Sequence, residues 1–581
     1  MTVSEYIFEY IAGYGCKTVY MVSGSSAMWL TDALYRNKNL TAICCHHEQA
    51  AAMSADGYGR INEIPGTCLV TIGPGATNAI TGIAQAYVDS SPLFILSGQA
   101  NSRLLKYAKE TGIRQQGCQS INLGPMVKPI TKYFAEVMDP DDIPQIMEDA
   151  YYAAMEGRRG PVWIDVPVDI QNRQVSEKCI SRAQKQIFRC PVIKQEDIEK
   201  VLSLLRKSER PLILAGNGIR NAGAVEELKR ICEMLSIPVV TSRGGLDIIE
   251  SESFYYVGRP GSYGDRASHF AIQEADLLLI LGCRLSISTI GYYPERFGKN
   301  AVKIMVDIDE KELAKNDVPI DHRILANVLD FLKILVNKIG TSRLLHKEWI
   351  EHCLKNREKY PTIQKEYSKE MPLNEYYVTG CLSKLTDGNA NIIVDTGSVC
   401  NIVSQSWIMK KGQRYLISGG LSCMGFWATA IGAYQENRAL IAIAGDGSTQ
   451  MNIQEFATIK YNCIPLKLFV YNNNGYMLIR HNQHNYMNDR FLGVNPESGI
   501  QTPDFCKVAE AYGIKAVRIS TVDELEEKIK YVLDLQETVV CEIICQEFAP
   551  IVPRIASRVM PDGSLKAAEF EDLYPFLEQQ E

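Results

Sequence analysis

The chain has 581 residues, 46% of them hydrophobic and 22% charged, a composition that excludes disordered, collagen-like and small disulfide-stapled classes. Lys plus Arg is 61 against 68 for Asp plus Glu, a net charge of −7. That balance speaks against a nucleic-acid surface, yet leaves room for a small anion held by backbone N–H groups or a metal. The 17 cysteines show no CxxC spacing, so zinc has little support and a reducing, cytoplasmic setting is expected. The first residues, MTVSEYIFEYIAGYG, lack a basic region ahead of an apolar run, and no run reaches the ~18–20 apolar residues of a membrane span. No membrane partner is expected.

Taken in chain order, short Val/Ile/Leu runs alternate with helical stretches. TAICC (41–45) reads as a strand that gives way to a helix at about Glu48, where the ordinary role of an acid is to meet the helix macrodipole. TCLVTIG (67–73), PLFILSG (92–98) and PVWIDVP (161–167) follow. Next come PLILAGNG (211–218), LLLILGC (277–283) and VKIMVDID (302–309), then NIIVDTG (391–397), ALIAIAGDG (439–447) and LKLFVYNNNG (466–475). Near-continuous apolar runs ending in Gly, Asp or Asn predict buried parallel strands with functional loops at their C-terminal ends. A polar stretch at 171–186 and a charged helical region at 346–360 divide the chain into 1–172, 190–340 and 365–550, with a tail at 551–581. Each segment has a normal domain size. The expected fold class is α/β, three domains each built on a parallel sheet flanked by helices.

The sharpest local pattern lies in the third segment. One strand ends at Gly445-Asp446-Gly447-Ser448, and STQMNIQEFATIKYN has a Ser start and apolar residues at helical spacing. The next strand ends at Asn472-Asn473-Asn474-Gly475. In a βαβ unit Asp446 and Asn473, 27 positions apart, emerge at the ends of two nearby strands. A carboxylate and an amide oxygen suit Mg2+, which is held by few protein oxygens plus phosphate oxygens. The following helix offers free N–H groups to a diphosphate. Either turn alone is an ordinary strand end; together they point to a metal–phosphate site.

GDGS, 27 positions and NN resembles the diphosphate and metal motif of thiamine diphosphate enzymes. HHEQAAAMSADGYGR (46–60) resembles the HEQ segment of decarboxylases and synthases in that family. TIGPGATNAITGIAQAYVDSSPLFILSGQ (71–99) resembles the acetolactate synthase branch, and GRRGPVWIDVPVDIQ (157–171) closes the first domain in the same style. The likeness covers about 1–550 in collinear order. It implies a pyrimidine-binding domain at 1–172, a central nucleotide-binding-like domain at 190–340 and a diphosphate-binding domain at 365–550. The implied metal ligands are Asp446, Asn473 and the carbonyl of Gly475. Glu48 is implied to hydrogen-bond the cofactor's aminopyrimidine and drive its activation, a task for a buried acid able to carry a proton. Pro74, Asn78, Gly397, Ser398, Ser422, Met424, Gly445, Gly447 and Ser448 are implied cofactor contacts. Met424 would be the apolar prop within SGGLSCMGFWATAIGAY (418–434), and Gln119 is the candidate for steering substrate. In this family the pyrimidine domain of one subunit faces the diphosphate domain of another. A homodimer or homotetramer with active sites at the subunit interface is therefore implied.

In the middle segment Gly216-Asn217-Gly218 misses the GxGxxG spacing, so an NAD-dependent dehydrogenase is a poor reading. With Arg259, Arg284 and Asp307 these residues resemble the FAD-binding domain of acetolactate synthases, where FAD does no net redox work. FAD, another nucleotide and an empty structural domain all stay open.

Departures cluster near the expected substrate site. Asn482, in Ile479-Arg480-His481-Asn482-Gln483, stands where acetolactate synthases carry a Trp, and Cys118-Gln119-Ser120 lacks a family Phe. Val22-Ser23-Gly24-Ser25-Ser26 replaces a P-G-G type loop, and Gly397-Ser398-Val399 a G-Q-H segment. Fewer aromatics and more hydroxyls and amides make a wider, more polar pocket, suited to a larger hydroxylated acceptor. A nucleotide-linked keto-sugar fits that description. Arg554, Arg558 and Lys566 of the tail are available to meet its charge or to form a solvated basic face. The implied function is a thiamine diphosphate- and Mg2+-dependent carboligase. It decarboxylates a 2-ketoacid, with pyruvate the expected donor, and transfers the two-carbon unit to an acceptor carbonyl. The alternatives are a 2-ketoacid decarboxylase without an acceptor and a catalytically silent binding or regulatory subunit. The intact set of Glu48, Asp446 and Asn473 argues against the silent subunit.

Overall fold

The structure is a computed structural model, and it describes residues 1–340, 346–559 and 565–577. Each apolar run named above becomes a strand, because a run hydrophobic on both faces is stable only between two helical layers. The first sheet holds β1 (Thr18–Met21), β2 (Thr41–Cys44), β3 (Gly66–Val70), β4 (Leu93–Gln99), β5 (Tyr133–Glu136) and β6 (Pro161–Pro167), in the order β2-β1-β3-β4-β6-β5. The second holds β7 (Pro211–Ala215), β8 (Val239–Thr241), β9 (Tyr256–Gly258), β10 (Leu277–Leu281), β11 (Val302–Asp307) and β12 (His322–Leu325), in the order β12-β11-β10-β7-β8-β9. The third holds β13 (Ala390–Val394), β14 (Arg414–Ile417), β15 (Ala439–Gly445), β16 (Leu466–Asn472), β17 (Lys515–Ile519) and β18 (Val539–Ile544), in the order β14-β13-β15-β16-β18-β17. Neighbouring strands in all three sheets are parallel. The expected three-sheet α/β architecture is what the chain adopts.

Nine helices carry the site and its supports: α1 (Glu48–Asn62), α2 (Pro74–Val88), α3 (Lys347–Lys359), α4 (Glu375–Leu385), α5 (Ser398–Ser406), α6 (Thr429–Ala433), α7 (Asp446–Gln450), α8 (Glu455–Tyr461) and α9 (Met477–Met487). The first and third sheets share one apolar core. Their closest approach is α1 against α6. A Cβ on Gly432 would lie 1.6 Å from the Ser54 carbonyl oxygen, and one on Gly57 would lie 2.2 Å from that of Thr429. Backbones can meet this closely only where side chains are absent.

One sequence expectation is corrected. The helix expected from Ser448 starts at Asp446 and breaks after Gln450. Asn452 takes φ +71, its amide donates to the Gly425 carbonyl at 3.0 Å, and the Trp427 indole donates to the Met451 carbonyl at 2.9 Å. Tertiary hydrogen bonds thus replace the helical ones. The charged helical region at 346–360 is the helix α3, docked on the central domain through Trp349, whose indole donates to the Pro211 carbonyl at 3.0 Å. Beyond β18 the tail forms an antiparallel pair, β19 (Ser557–Val559) and β20 (Leu565–Ala567), and then packs on the central domain, with Phe570 stacked on His269 at 4.1 Å. Among the described residues no helix is long and apolar enough to cross a membrane.

Candidate active site

The first group of predicted residues gathers at the C-terminal edge of the first sheet. Glu48 opens α1 and is 9% exposed. Its Oε2 accepts a hydrogen bond at 2.9 Å from the Asn78 amide on α2. Pro74 is the first residue of α2, where its fixed φ and missing N–H do no harm. The preceding Gly73 has φ +62, and a Cβ there would lie 2.4 Å from the Gln119 carbonyl oxygen. Gln119, itself at φ +59, is thereby laid against the start of α2. The loop before Glu48 is clamped from the third domain. The buried Glu455 carboxylate accepts from the backbone N–H of both His46 and His47 at 3.0 Å.

The second group lies at the ends of β13, β15 and β16. In register Gly445 pairs with Tyr471, so Asp446 and Asn473 leave adjacent strands side by side. Asp446 Oδ1 accepts from Gly447 N and Oδ2 from Gly475 N, both at 2.7 Å. Burial pushes its carboxyl up to about 6, against these donors. Asn473 is buried, its Nδ2 donates to Glu375 Oε1 at 3.0 Å, and its Oδ1 has no donor among the described residues. Glu375 is fully buried, and burial pushes its carboxyl up to about 7. Gly475 takes φ +130, with the Val494 carbonyl 2.1 Å from where a Cβ would stand. Arg480 runs beneath this turn, its Nη2 donating to the carbonyls of Asn474 at 2.8 Å and Val494 at 3.1 Å. Gly445 caps α7, a Cβ on Gly447 would meet the Tyr476 ring at 2.1 Å, and Ser448 is buried. Gly397, at φ +87, turns the chain into α5, whose first residue is the buried Ser398. Met424 is half-buried, and Ser422 is exposed at φ +55.

The third group surrounds a cavity of ≈ 1630 Å³, counted out to its open mouth, at the point where the central strand order reverses between β7 and β10. Ligands bind at such switch points in open α/β sheets. Asn217, Gly218, Arg284 and Asp307 line it. Gly216 lies behind Gly218, both packed on Gly282. Burial pushes the Asp307 carboxyl up to about 6. Arg259 is not on this wall: its buried guanidinium donates to the carbonyls of Ser404 and Tyr263 at 3.2 and 2.6 Å. It ties α5 to the central domain, while its Nη1 is buried with no partner among the described residues.

Residues 1–123, 198–335 and 395–543 match the N-terminal TPP binding, central and C-terminal TPP binding domains of thiamine pyrophosphate enzymes. The chain belongs to the thiamine pyrophosphate enzyme family. The probable acetolactate synthase large subunit of Methanocaldococcus jannaschii is 32% identical to it, with 99% of this chain and 98% of that protein covered. The acetolactate synthase large subunit of Lactococcus lactis is 31% identical over 96% of this chain and 95% of its own length. The chloroplastic acetolactate synthase of Arabidopsis thaliana is 31% identical, covering 95% of this chain and 83% of that protein. The protein is a thiamine diphosphate-dependent carboligase of the acetolactate synthase-like branch.

The second group fits the metal that this cofactor uses. Asp446 and Asn473 are oxygen ligands, as Mg2+ prefers, and the buried Asn473 Oδ1 has no other partner. No hydrogen bond or ion pair joins Glu48 to Asp446, Asn473 or Gly475 among the described residues. Of the substrate-side departures, Asn482 is exposed on α9, beside His481, whose Nε2 pairs with the Ala549 carbonyl at 2.8 Å. Arg558 of the tail is held by Asp572 at 2.7 and 2.9 Å, and Arg554 lies over the Tyr574 ring at 5.6 Å. Arg558 is therefore engaged within the tail, while Lys566 is exposed. Sequence reasoning assigned no role to Glu375, Glu455, Arg480 or Asp395. The last is a fully buried carboxylate after β13 that accepts from Trp427 N at 2.9 Å.

Proposed function

We propose that this carboligase requires Mg2+, takes pyruvate as its donor and transfers the two-carbon unit to an acceptor carbonyl larger and more hydroxylated than a second ketoacid, a nucleotide-linked keto-sugar. The observation that carries the Mg2+ requirement is the buried oxygen set at Asp446 and Asn473, whose Oδ1 lacks any partner. The acetolactate synthase relatives favour pyruvate. Asn482 and Gln119, both exposed and polar, favour the acceptor.

Bound thiamine diphosphate would supply the carbon nucleophile that adds to the ketoacid carbonyl and holds the charge released as CO2 leaves. Asp446 and Asn473, with the Gly475 carbonyl, would hold the metal and through it the diphosphate. Glu48 holds and returns a proton at the pyrimidine, and Asn78 fixes which carboxylate oxygen faces away from it. Glu455 keeps the loop before Glu48 in place by accepting two backbone N–H bonds. Among the described residues the two groups share no hydrogen bond within one chain, and we place the complete site between two copies, in a homodimer or homotetramer. The central cavity is proposed to take FAD. It lies at a switch point, and neither Arg243 nor Arg284 on its wall has a carboxylate partner among the described residues.

The test is to follow carbon-13-labelled pyruvate by NMR with the cofactor- and Mg2+-loaded protein. Turnover that accelerates on adding a nucleotide-linked keto-sugar supports the acceptor. Rapid acetolactate would replace it with a second pyruvate, and free acetaldehyde would make the protein a decarboxylase.

A further inference from the structure

Glu375 opens α4 and is fully buried. It does not cap its own helix: the Asn374 side chain does so, accepting from Tyr376 N at 2.9 Å and Tyr377 N at 3.4 Å. The Glu375 side chain instead reaches across to the third sheet, where Oε1 accepts from Asn473 Nδ2 at 3.0 Å. Its Oε2 is buried without a donor, as is Asn473 Oδ1. No cation pairs with Glu375 among the described residues, so a buried acid is kept here without an ion pair, which is costly unless it serves a partner.

The amide of Asn473 can bind a metal by one end only. Its oxygen is an acceptor and its nitrogen a donor, and the two ends have nearly the same shape. A carboxylate offers acceptors alone. With Glu375 on one side, the Nδ2 end is satisfied there, while a flipped amide would set oxygen against oxygen. Asp446 cannot do this work, because its two oxygens are already turned to Gly447 N and Gly475 N.

We propose that Glu375 is a positioning residue for the metal. It fixes the Asn473 amide so that Oδ1 faces the cation, acting through hydrogen-bond reach and not through its charge. The inference rests on the thiamine diphosphate–metal reading of this site. Partners of this kind typically change metal affinity by about 10–100-fold when removed.

Two conservative variants of the full-length protein separate reach from charge. Glu375→Gln keeps the reach and loses the charge. Its amide can turn either end to Asn473, and a metal that binds only Oδ1 selects the arrangement in which the Gln oxygen accepts from Nδ2. Glu375→Asp instead keeps the charge and shortens the reach by one methylene. Free Mn2+ is followed by electron paramagnetic resonance as it is titrated into protein with thiamine diphosphate, without substrate. Glu375→Gln is expected to bind Mn2+ within about threefold of wild type, and Glu375→Asp about tenfold or more weakly. An Asp variant that binds like wild type would overturn the proposal, as would a Gln variant that loses as much as Asp. If the Asp variant does not fold, Glu375→Met, which keeps the side-chain length and offers Asn473 no oxygen acceptor, takes its place with the same expected loss, and wild-type-like binding by it would overturn the proposal. Wild-type protein that shows no cofactor-dependent Mn2+ binding would overturn the metal reading and this inference with it.

Discussion

A carboxyl group that must exchange a proton with a cofactor needs a partner that orients it, and among the described residues no ion pair engages Glu48. Its hydrogen-bond partner is the neutral Asn78 amide, and it is buried at the mouth of α1. Glu48→Gln keeps the shape and removes the exchangeable acid. Turnover should fall by about 10²-fold or more with an unchanged circular dichroism spectrum; near-normal turnover would remove Glu48 from the mechanism. Asp446→Asn should abolish Mg2+-dependent stabilisation by the cofactor in a thermal melt while the apo protein melts much as wild type does. Glu48, Asp446 and Asn473 were legible in the sequence because each sits at the end of a strand whose apolar run marks its position. Glu375 and Glu455 were not. A glutamate in the first turn of a helix is common, and the partners that give these two meaning lie 98 and 409 positions away. Arg259 lies off the cavity wall, and for a related reason this was not legible: a strand-end arginine beside glycines reads as a ligand contact, and only the fold shows two of its nitrogens turned to backbone carbonyls.

At the scale of elements, the strands follow from buried hydrophobic runs, but the helices after them depend on what they meet. The break between α7 and α8 is one case, since Asn452, Trp427 and Gly425 supply hydrogen bonds that no local pattern announces. The contact of α1 with α6 is another. Gly432→Ala would drive a methyl into the Ser54 carbonyl, and stability should fall by about 2 kcal/mol or more, read as a lower melting temperature. A variant that melts like wild type would show that the two helices can separate freely. Asp165 on β6 supplies a pH test. Burial pushes its carboxyl up to about 7, although Ser97 Oγ and Gln99 Nε2 donate to it at 2.5 and 2.9 Å. The native state therefore holds this proton more tightly than the unfolded chain does. The stability it contributes is greatest at acid pH and declines as pH rises from about 4 towards about 7. Asp165→Asn should flatten that part of the melting-temperature profile, and parallel profiles for the two proteins would contradict the assignment.

For the whole molecule, the first and third sheets share one strand order and the central sheet has another, and the sequence showed the three units without showing how they face one another. The cavity between domains illustrates the limit. It takes Arg158 from the first domain and Arg414 from the third as well as the predicted Arg284, residues that no single-domain pattern connects. If FAD occupies it, purified protein should carry flavin absorbance or regain it on soaking, and Arg284→Ala should weaken retention; failure of wild-type protein to bind FAD saturably would leave the cavity to another ligand. If active sites form between copies, co-folding Glu48→Gln chains with Asp446→Asn chains should restore part of the activity that neither has alone. The most direct test of the central claim needs no substrate. Exchange of the C2 proton of bound thiamine diphosphate into deuterated buffer should be fast in the Mg2+-loaded wild type and at least about 10²-fold slower in Glu48→Gln. Equal exchange in the two proteins would contradict the account.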